Sequence, residues 1–596
     1  MVRSHARFLR AMALSVAAVL TLAACGAGAS TQPSAGGSGA SSAPSAGPKT
    51  GGTIYILSNN VSIDQVDPQR SYTGEDLAFF SGTIYRSLTA YTFSSDDVKA
   101  AALVPDLATD LGKSSADAKT WTFTLRDGVT FQDGSPITCA DVKYGASRTF
   151  ATDVITGGPT YAIAYLAIPY QADGQTSQYP GPYKATAAQQ ALFDKSIDCS
   201  ADGKTITFHL NQPVPDFAYT LTLGWSPVPK AADKGETYAT TTVLPVSSGP
   251  YMVQSYSTGP GGKMVLVRNP KWSQASDSYR HPYPDMWEID FGIDSKVIDQ
   301  RMIASSGNDQ TAVQRENMQP ENLTTVFKDQ KTANDPYLGR AFSSYDIYAL
   351  YIWINTAKVT NLKIRQAMAV ALNRDALRKN GGGVFHGDFA DGVVKPNIGP
   401  DYAKTGWATD MFGAAIPDTG NPDLAKQLIA QSGVPAPSLT YDYSSSAGAV
   451  ADRSAGIVKA SLELAGFKIT LNPISKGYYS VVFGKGAHDF GTGGWGADWP
   501  NAKTVVADLF TVKGGWDLSR VDDAAFNAKV DAAVANTDRT AQEAQWQALN
   551  KEAMQNAWAI PTFFELQQRM VGTKIGNAYS WGPYGSWAYG DMYVKP

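Results

Sequence analysis

The chain has 596 residues, 17% of them charged, with a formal net charge of -4. That mild acidity supplies no basic footprint for nucleic acid, and the length exceeds what one hydrophobic core organises, so two or more domains are expected. Aromatics reach 11%, with 13 Trp and 29 Tyr. They fit either large packed cores or a cavity lined with rings that offer an apolar face and a polar handle.

In chain order, the first element is a leader. Arg3, Arg7 and Arg10 make a basic start, Ala11 to Ala24 an apolar run, and Leu22-Ala23-Ala24-Cys25-Gly26 follows. This reads as a secretory signal over residues 1–24. Its apolar run is shorter than the ~20 residues a bilayer span needs. Small residues before Cys25 resemble the bacterial lipobox, whose Cys is lipidated and becomes the mature N-terminus. An ordinary signal with a coincidental Cys is the alternative. Loss of the three Arg takes the formal charge from -4 to -7. From Gly26 to Thr50 the chain is Gly, Ala, Ser, Thr, Pro and Gln with Lys49 as its one charge. Such a segment cannot offset its ordering entropy, so residues 25–50 form a lipidated Cys and tether with a reach of about 25–30 Å. No later apolar run is long enough to cross a membrane. The expected location is the extracytoplasmic face of the bacterial cell membrane.

The body opens with an expected strand at Thr53–Leu57 and a helix from Leu77 to about Tyr85. Trp121–Arg126 alternates with period two and ends at the turn Asp127-Gly128. Phe131–Gly134 reads as a second strand and turn, Thr138 as the N-cap of a helix through Val142 and Ala146, and Thr205–Leu210 as another strand. Residues 151–195, rich in Gly, Pro, Tyr and Gln, read as a surface insertion with one helix near Ala187–Phe193. Gly259–Lys263 reads as a hairpin turn rather than a phosphate loop. Cys139 and Cys199 remain after Cys25 is assigned to lipid; in an oxidising compartment they are candidates for a disulfide, with free buried thiols as the alternative.

The second half reads as parallel α/β. Ile364, Ala367, Met368, Ala371 and Leu372 trace a helix expected to run to Asn380-Gly381. Asn421-Pro422 starts another that stops at Gly433. Leu439–Tyr443 and Lys468–Leu471 read as strands around a helix at 454–466. Helices near 523–535 and 539–557 precede the apolar segment Ile560–Phe564.

The run from Trp121 through Gly134 to Val142 resembles the signature of the large peptide-binding class of solute-binding proteins that feed ABC importers, family 5. Further matches follow in order: Ser248–Tyr251, Arg268–Pro270, Tyr351–Thr356, Arg365–Met368 and Gly494-Trp495-Gly496-Ala497-Asp498-Trp499-Pro500. The resemblance covers essentially the body from Gly51 to Pro596. It implies a type II, periplasmic-binding-protein-like fold of two α/β lobes joined by two chain crossings. Lobe one holds about 51–347 and the return 565–596, with an extra subdomain near 90–200; lobe two holds about 348–564.

The resemblance also implies a ligand between the lobes, captured by hinge closure, and delivery to the permease subunits and ATPases of an importer. By this resemblance Asp498 pairs with a peptide's α-ammonium, which needs a charge partner when desolvated; a helix cap or local ion pair is the alternative. Trp495 faces the cleft and Trp499 flanks it, with core packing as the alternative for each. Backbone at Gly493, Gly494 and Trp495, and at Ser62, Ile63, Asp64 and Gln65, pairs with an extended peptide as added strand. Cys139, Asn501 and Thr492 depart from the family pattern; Thr492 stands where some oligopeptide binders carry a cation for the ligand carboxylate. The expected protein is a monomer without cofactor, metal or nucleic-acid partner, and not an enzyme: the five His show no HExxH spacing and no Walker A motif occurs. An oligosaccharide or metal chelate in the same fold, or a peptide-signal receptor without import, are the other readings.

Overall fold

The computed structural model describes residues 48–596 except 175, 410, 447, 485 and 486. The leader, Cys25 and most of the tether lie outside the described residues. No helix among those described is long and apolar enough to cross a membrane.

Two main sheets carry the body. The first has five strands in the order Ala312–Gln314, Thr53–Leu57, Met286–Asp290, Lys263–Arg268, Tyr251–Tyr256. Thr53–Leu57 runs parallel to both neighbours, and its buried Ile54 and Ile56 alternate with half-buried Thr53 and Tyr55. Gly259–Lys263 turns the last two strands into a hairpin, with Gly259 at φ +94° and Gly261 at +77°. These left-handed values suit glycine.

A four-stranded sheet stands beside it: Lys113–Ser114, Thr120–Thr124, Thr205–His209, Ile197–Cys199. Phe123, Phe208, Phe217 and Trp225 fill its own core. The helix Cys139–Arg148 starts with a capping box in which Thr138 and Asp141 satisfy each other's backbone N–H. A disulfide joins Cys139 to Cys199 with Cα atoms 5.7 Å apart, so the helix start is tied to an edge strand. Phe131–Gly134 is not a strand. Only Thr130 and Pro136 pair there, and Asp133 closes the turn by accepting from the Ser135 amide and hydroxyl. The insertion holds the expected helix at Ala187–Asp194 and a second, Tyr161–Tyr165.

The second main sheet has six strands: Gly387–Phe389, Ala559–Met570, Ala341–Ile354, Phe490–Gly496, Ser438–Ser444, Lys468–Ile474. It is mixed rather than parallel. Ser438–Ser444 pairs in parallel with both neighbours, whereas the two long strands at the centre are antiparallel. The helix expected to reach Asn380 breaks into Leu362–Ala371 and Arg374–Asn380. Asn373 causes the break: its side chain accepts from the Ala376 amide at 2.9 Å and caps the second helix.

The two long strands link the sheets. Ala341 to Tyr345 pair with Met570 to Leu566, the register slips between Tyr345 and Ala349, and pairing resumes at Phe564. Beyond Met570, Val571 bridges Val313 of the first sheet. At the slip, buried Lys395 donates to the Asp346 carboxylate at 2.7 Å and to the Glu565 carbonyl at 2.9 Å. The chain therefore crosses twice between two α/β bodies, each with a separate hydrophobic core.

Candidate ligand-binding site

Asp498 lies in the loop that leaves the strand Phe490–Gly496 for the helix Lys503–Phe510. The loop is held from several sides. Asn501 accepts from the Lys503 amide at 2.9 Å, Asp401 accepts from the Ala502 amide at 2.7 Å, and Thr504 accepts from the Asp498 amide at 3.2 Å. Trp495 donates its indole N–H to the Thr504 carbonyl at 2.6 Å, and its ring lies 4.6 Å from that of Trp516. Thus the Asp498 carboxylate and an aromatic wall are fixed by one strand–loop–helix unit.

Two phenols from the other α/β body meet this carboxylate. Tyr72 donates to Asp498 at 2.6 Å, and Tyr161 donates to the same oxygen. Trp499, 4.9 Å from the Tyr161 ring, donates its indole N–H to Asp216 at 2.6 Å. Lys503 stands 3.4 Å from Asp216. These contacts surround a cavity of about 630 Å³ whose wall includes Tyr72, Tyr161, Trp495, Asp498, Asp508 and Trp516. Its size falls in the range of small-molecule and cofactor sites.

The electrostatics of the wall are acidic. Burial pushes Asp498 up to about 6, against the lowering effect of the two phenol hydrogen bonds. Burial and the charge of Asp498 push Asp508 up to about 7. Burial and the neighbouring Asp498 hold the Tyr72 and Tyr161 phenols well above their ordinary value, so both remain donors. Burial alone would lower Lys503, but Asp216 outweighs it and keeps the ammonium charged. Among the described residues neither Asp498 nor Asp508 has an ion-pair partner.

The structure brings Asp498, Trp495, Gly494 and Trp499 together on this wall. Gly493 lies behind it, where a Cβ would stand 2.6 Å from the Tyr351 ring. Ser62 and Asp64 border a separate depression of about 380 Å³ with Glu75, Asp76 and Arg315. Ile63 is buried, its carbonyl accepting from Tyr256, and Gln65 lines neither space. Thr492 shares its hydroxyl with the Tyr441 phenol at 3.0 Å and brings no cation to the cavity. The opposing wall comes instead from Tyr72, Thr160, Tyr161, Tyr165 and Gln212, which sequence reasoning missed. The Tyr161/Tyr165 spacing of four was the available signal, in a segment with no other helical pattern.

A family model for the middle region of bacterial extracellular solute-binding proteins, family 5, matches residues 102–517. The chain belongs to this family. The solute-binding protein is 24% identical over 507 residues to the periplasmic oligopeptide-binding protein OppA of Escherichia coli, covering 80% of this chain and 82% of that one. It is 24% identical over 492 residues to the dipeptide-binding protein of Lactococcus lactis, covering 77% and 81%. Among solved structures it is similar to clavulanic acid biosynthesis oligopeptide binding protein 2, with a TM-score of 0.79, 26% identity and coverage of 92% and 96%. It also shares the fold of Haemophilus influenzae OppA in complex with a peptide, at a TM-score of 0.65, 16% identity and coverage of 91% and 99%. The two bodies of this solute-binding protein are therefore the lobes of a type II binding protein, and the cavity at Asp498 lies where both contribute.

Proposed function

We propose that this solute-binding protein captures peptides in the Asp498 cavity by closing its lobes, and delivers them to the permease of an ABC importer from a lipid anchor at Cys25 on the outer face of the cell membrane. The lobes are taken as about 51–347 with 565–596, and 348–564, hinged at the register slip. The protein acts as a monomer and transports its ligand without chemical change. One observation carries the reading: a carboxylate without a cation partner, held by two phenols inside a cavity large enough for a small ligand. An ammonium entering there gains a charge-assisted hydrogen bond worth about 1.5–3 kcal/mol. The relatives named as oligopeptide- and dipeptide-binding proteins support the same ligand class.

The test is calorimetric titration of residues 48–596, a single compact unit, with mixed tri- to pentapeptides and with the same peptides N-acetylated. Binding that vanishes on acetylation is expected. Equal binding of both sets removes the ammonium–Asp498 pair from the reading. The paired rings of Trp495 and Trp516 favour one second reading, an oligosaccharide stacked on them; binding of a β-linked oligosaccharide with no peptide binding would select it.

A further inference from the structure

The helix Lys503–Phe510 turns one face to the cavity: Thr504, Ala507 and Asp508 line it, and Thr511 continues the stripe. Positions three and four apart share a helix face. The two charged groups on this helix wall differ in their commitments. Lys503 is engaged by Asp216 at 3.4 Å and lies over the Tyr165 ring at 4.9 Å. Asp508 has no cation at ion-pair distance: the backbone N–H of Gly515 approaches it, and Lys503 acts on it through its charge alone. Further along the wall, exposed Lys513 stands 3.5 Å from exposed Asp531. Asp508 also acts electrostatically on Tyr72 and Tyr161, the two phenols that hold Asp498. The cavity thus sets two carboxylates on its wall, while its two lysines, Lys503 and Lys513, stand at ion-pair distance from Asp216 and Asp531 rather than from either acid.

One α-ammonium neutralises only one of these acids. We propose that Asp508 is a specificity residue, receiving the side-chain cation of a peptide whose first residue is lysine or arginine while Asp498 holds that residue's α-ammonium. This rests on the peptide reading above. A lysine or arginine carries both charges on one short stem, so a single residue can satisfy both acids. Its methylenes match the apolar faces of Trp495 and Trp516, whose rings stand 4.6 Å apart at 30°. The aromatic faces also attract a guanidinium or ammonium directly. The upward push on Asp508 from burial and from Asp498 is the same frustration seen electrostatically: two acids on one half-buried wall resist joint ionisation until a dication arrives.

Titration with Lys-Ala-Ala, norleucine-Ala-Ala and N-acetyl-Lys-Ala-Ala tests the proposal on wild type, Asp508→Asn and Asp508→Ser. Wild type is expected to bind the lysine-first peptide about tenfold or more tightly than the norleucine-first one, the least that a charge-assisted bond contributes. In Asp508→Asn the two should bind alike, at the wild-type affinity for the norleucine peptide. Equal binding of these two peptides by wild type overturns the proposal and leaves peptide capture standing. So does a lysine preference that survives in either variant. If no free-amine peptide binds, or the acetylated peptide binds as well as its parent, the peptide reading falls and takes the proposal with it. Melting curves show which variant is folded, and the wild-type comparison decides without either.

Discussion

Asp498 stores a conflict between stability and binding. Its carboxyl sits at about 6, above the usual 3.8, because burial outweighs two phenol donors. Asp508 sits higher, at about 7. A raised acid binds more protons folded than unfolded, so the stability it contributes is complete below about pH 4 and is lost as pH rises through 6 to 7. The empty protein should therefore melt higher at pH 5.5 than at pH 8, and Asp498→Asn should reduce that difference. Ligand affinity runs the other way. An ammonium prefers the ionised carboxylate, so calorimetric affinity should fall as pH drops from 7.5 to 5, approaching tenfold per unit below the carboxyl's pKa. Asp498→Asn should weaken free-amine peptides by about 10- to 100-fold, the equivalent of one charge-assisted hydrogen bond. A variant that binds as tightly as wild type, or an affinity flat with pH, would remove Asp498 from the ligand.

Among the elements, those marked by local chemistry were legible. Asn421-Pro422 and Gly433 bound the helix Pro422–Ser432 as expected, with Asn421 accepting from the Leu424 amide at 3.0 Å. Thr138 likewise opens its helix. Elements set by distant partners were not. Tyr161–Tyr165 is five residues long, uncapped by any side chain, and fixed by its docking on Trp499 and Asp498; the four-residue spacing of its two tyrosines is the one local signal it carries, too short to mark a helix. The same holds for the cavity, whose second wall joins positions more than 300 apart in sequence. The motif around Trp495–Pro500 identified one half of the site because that half is contiguous. The disulfide at Cys139 and Cys199 belongs to this scale as well. It closes a loop of 60 residues that ends on the edge strand Ile197–Cys199 of the four-stranded sheet, for which the chain-entropy model gives about 4 kcal/mol. Replacing both cysteines with serine should lower the melting temperature and bring forward proteolysis within residues 103–214, while peptide binding measured at low temperature persists. Unchanged melting would show that the core around Phe123 and Trp225 holds this sheet unaided.

For the whole molecule, the contacts that span the lobes decide how the cavity closes. A ligand closes a hinge only by preferring the closed state, and a closed state that is already favoured makes the ligand's task smaller. Beside Asp498, Asp216 is a charged contact between the lobes at the cavity: it accepts from the Trp499 indole at 2.6 Å and faces Lys503 at 3.4 Å. Lys503 is buried, so removing its anion leaves an ammonium without its ion-pair partner, a costly state that opening to water relieves. Asp216→Asn keeps the size of the side chain and one acceptor for Trp499 but removes the charge. It should therefore shift the empty protein toward the open form, read as a larger radius of gyration in solution scattering, with saturating peptide restoring the wild-type value. Since apparent affinity scales with the fraction of closed molecules, peptides should bind about 10- to 100-fold more weakly, the loss expected for one charge-assisted contact. The weakening should be the same for every peptide, because Asp216 touches the lobes and not the ligand. A loss confined to lysine-first peptides would instead assign Asp216 to ligand recognition, and an unchanged radius with unchanged affinity would show that the lobes close without this contact.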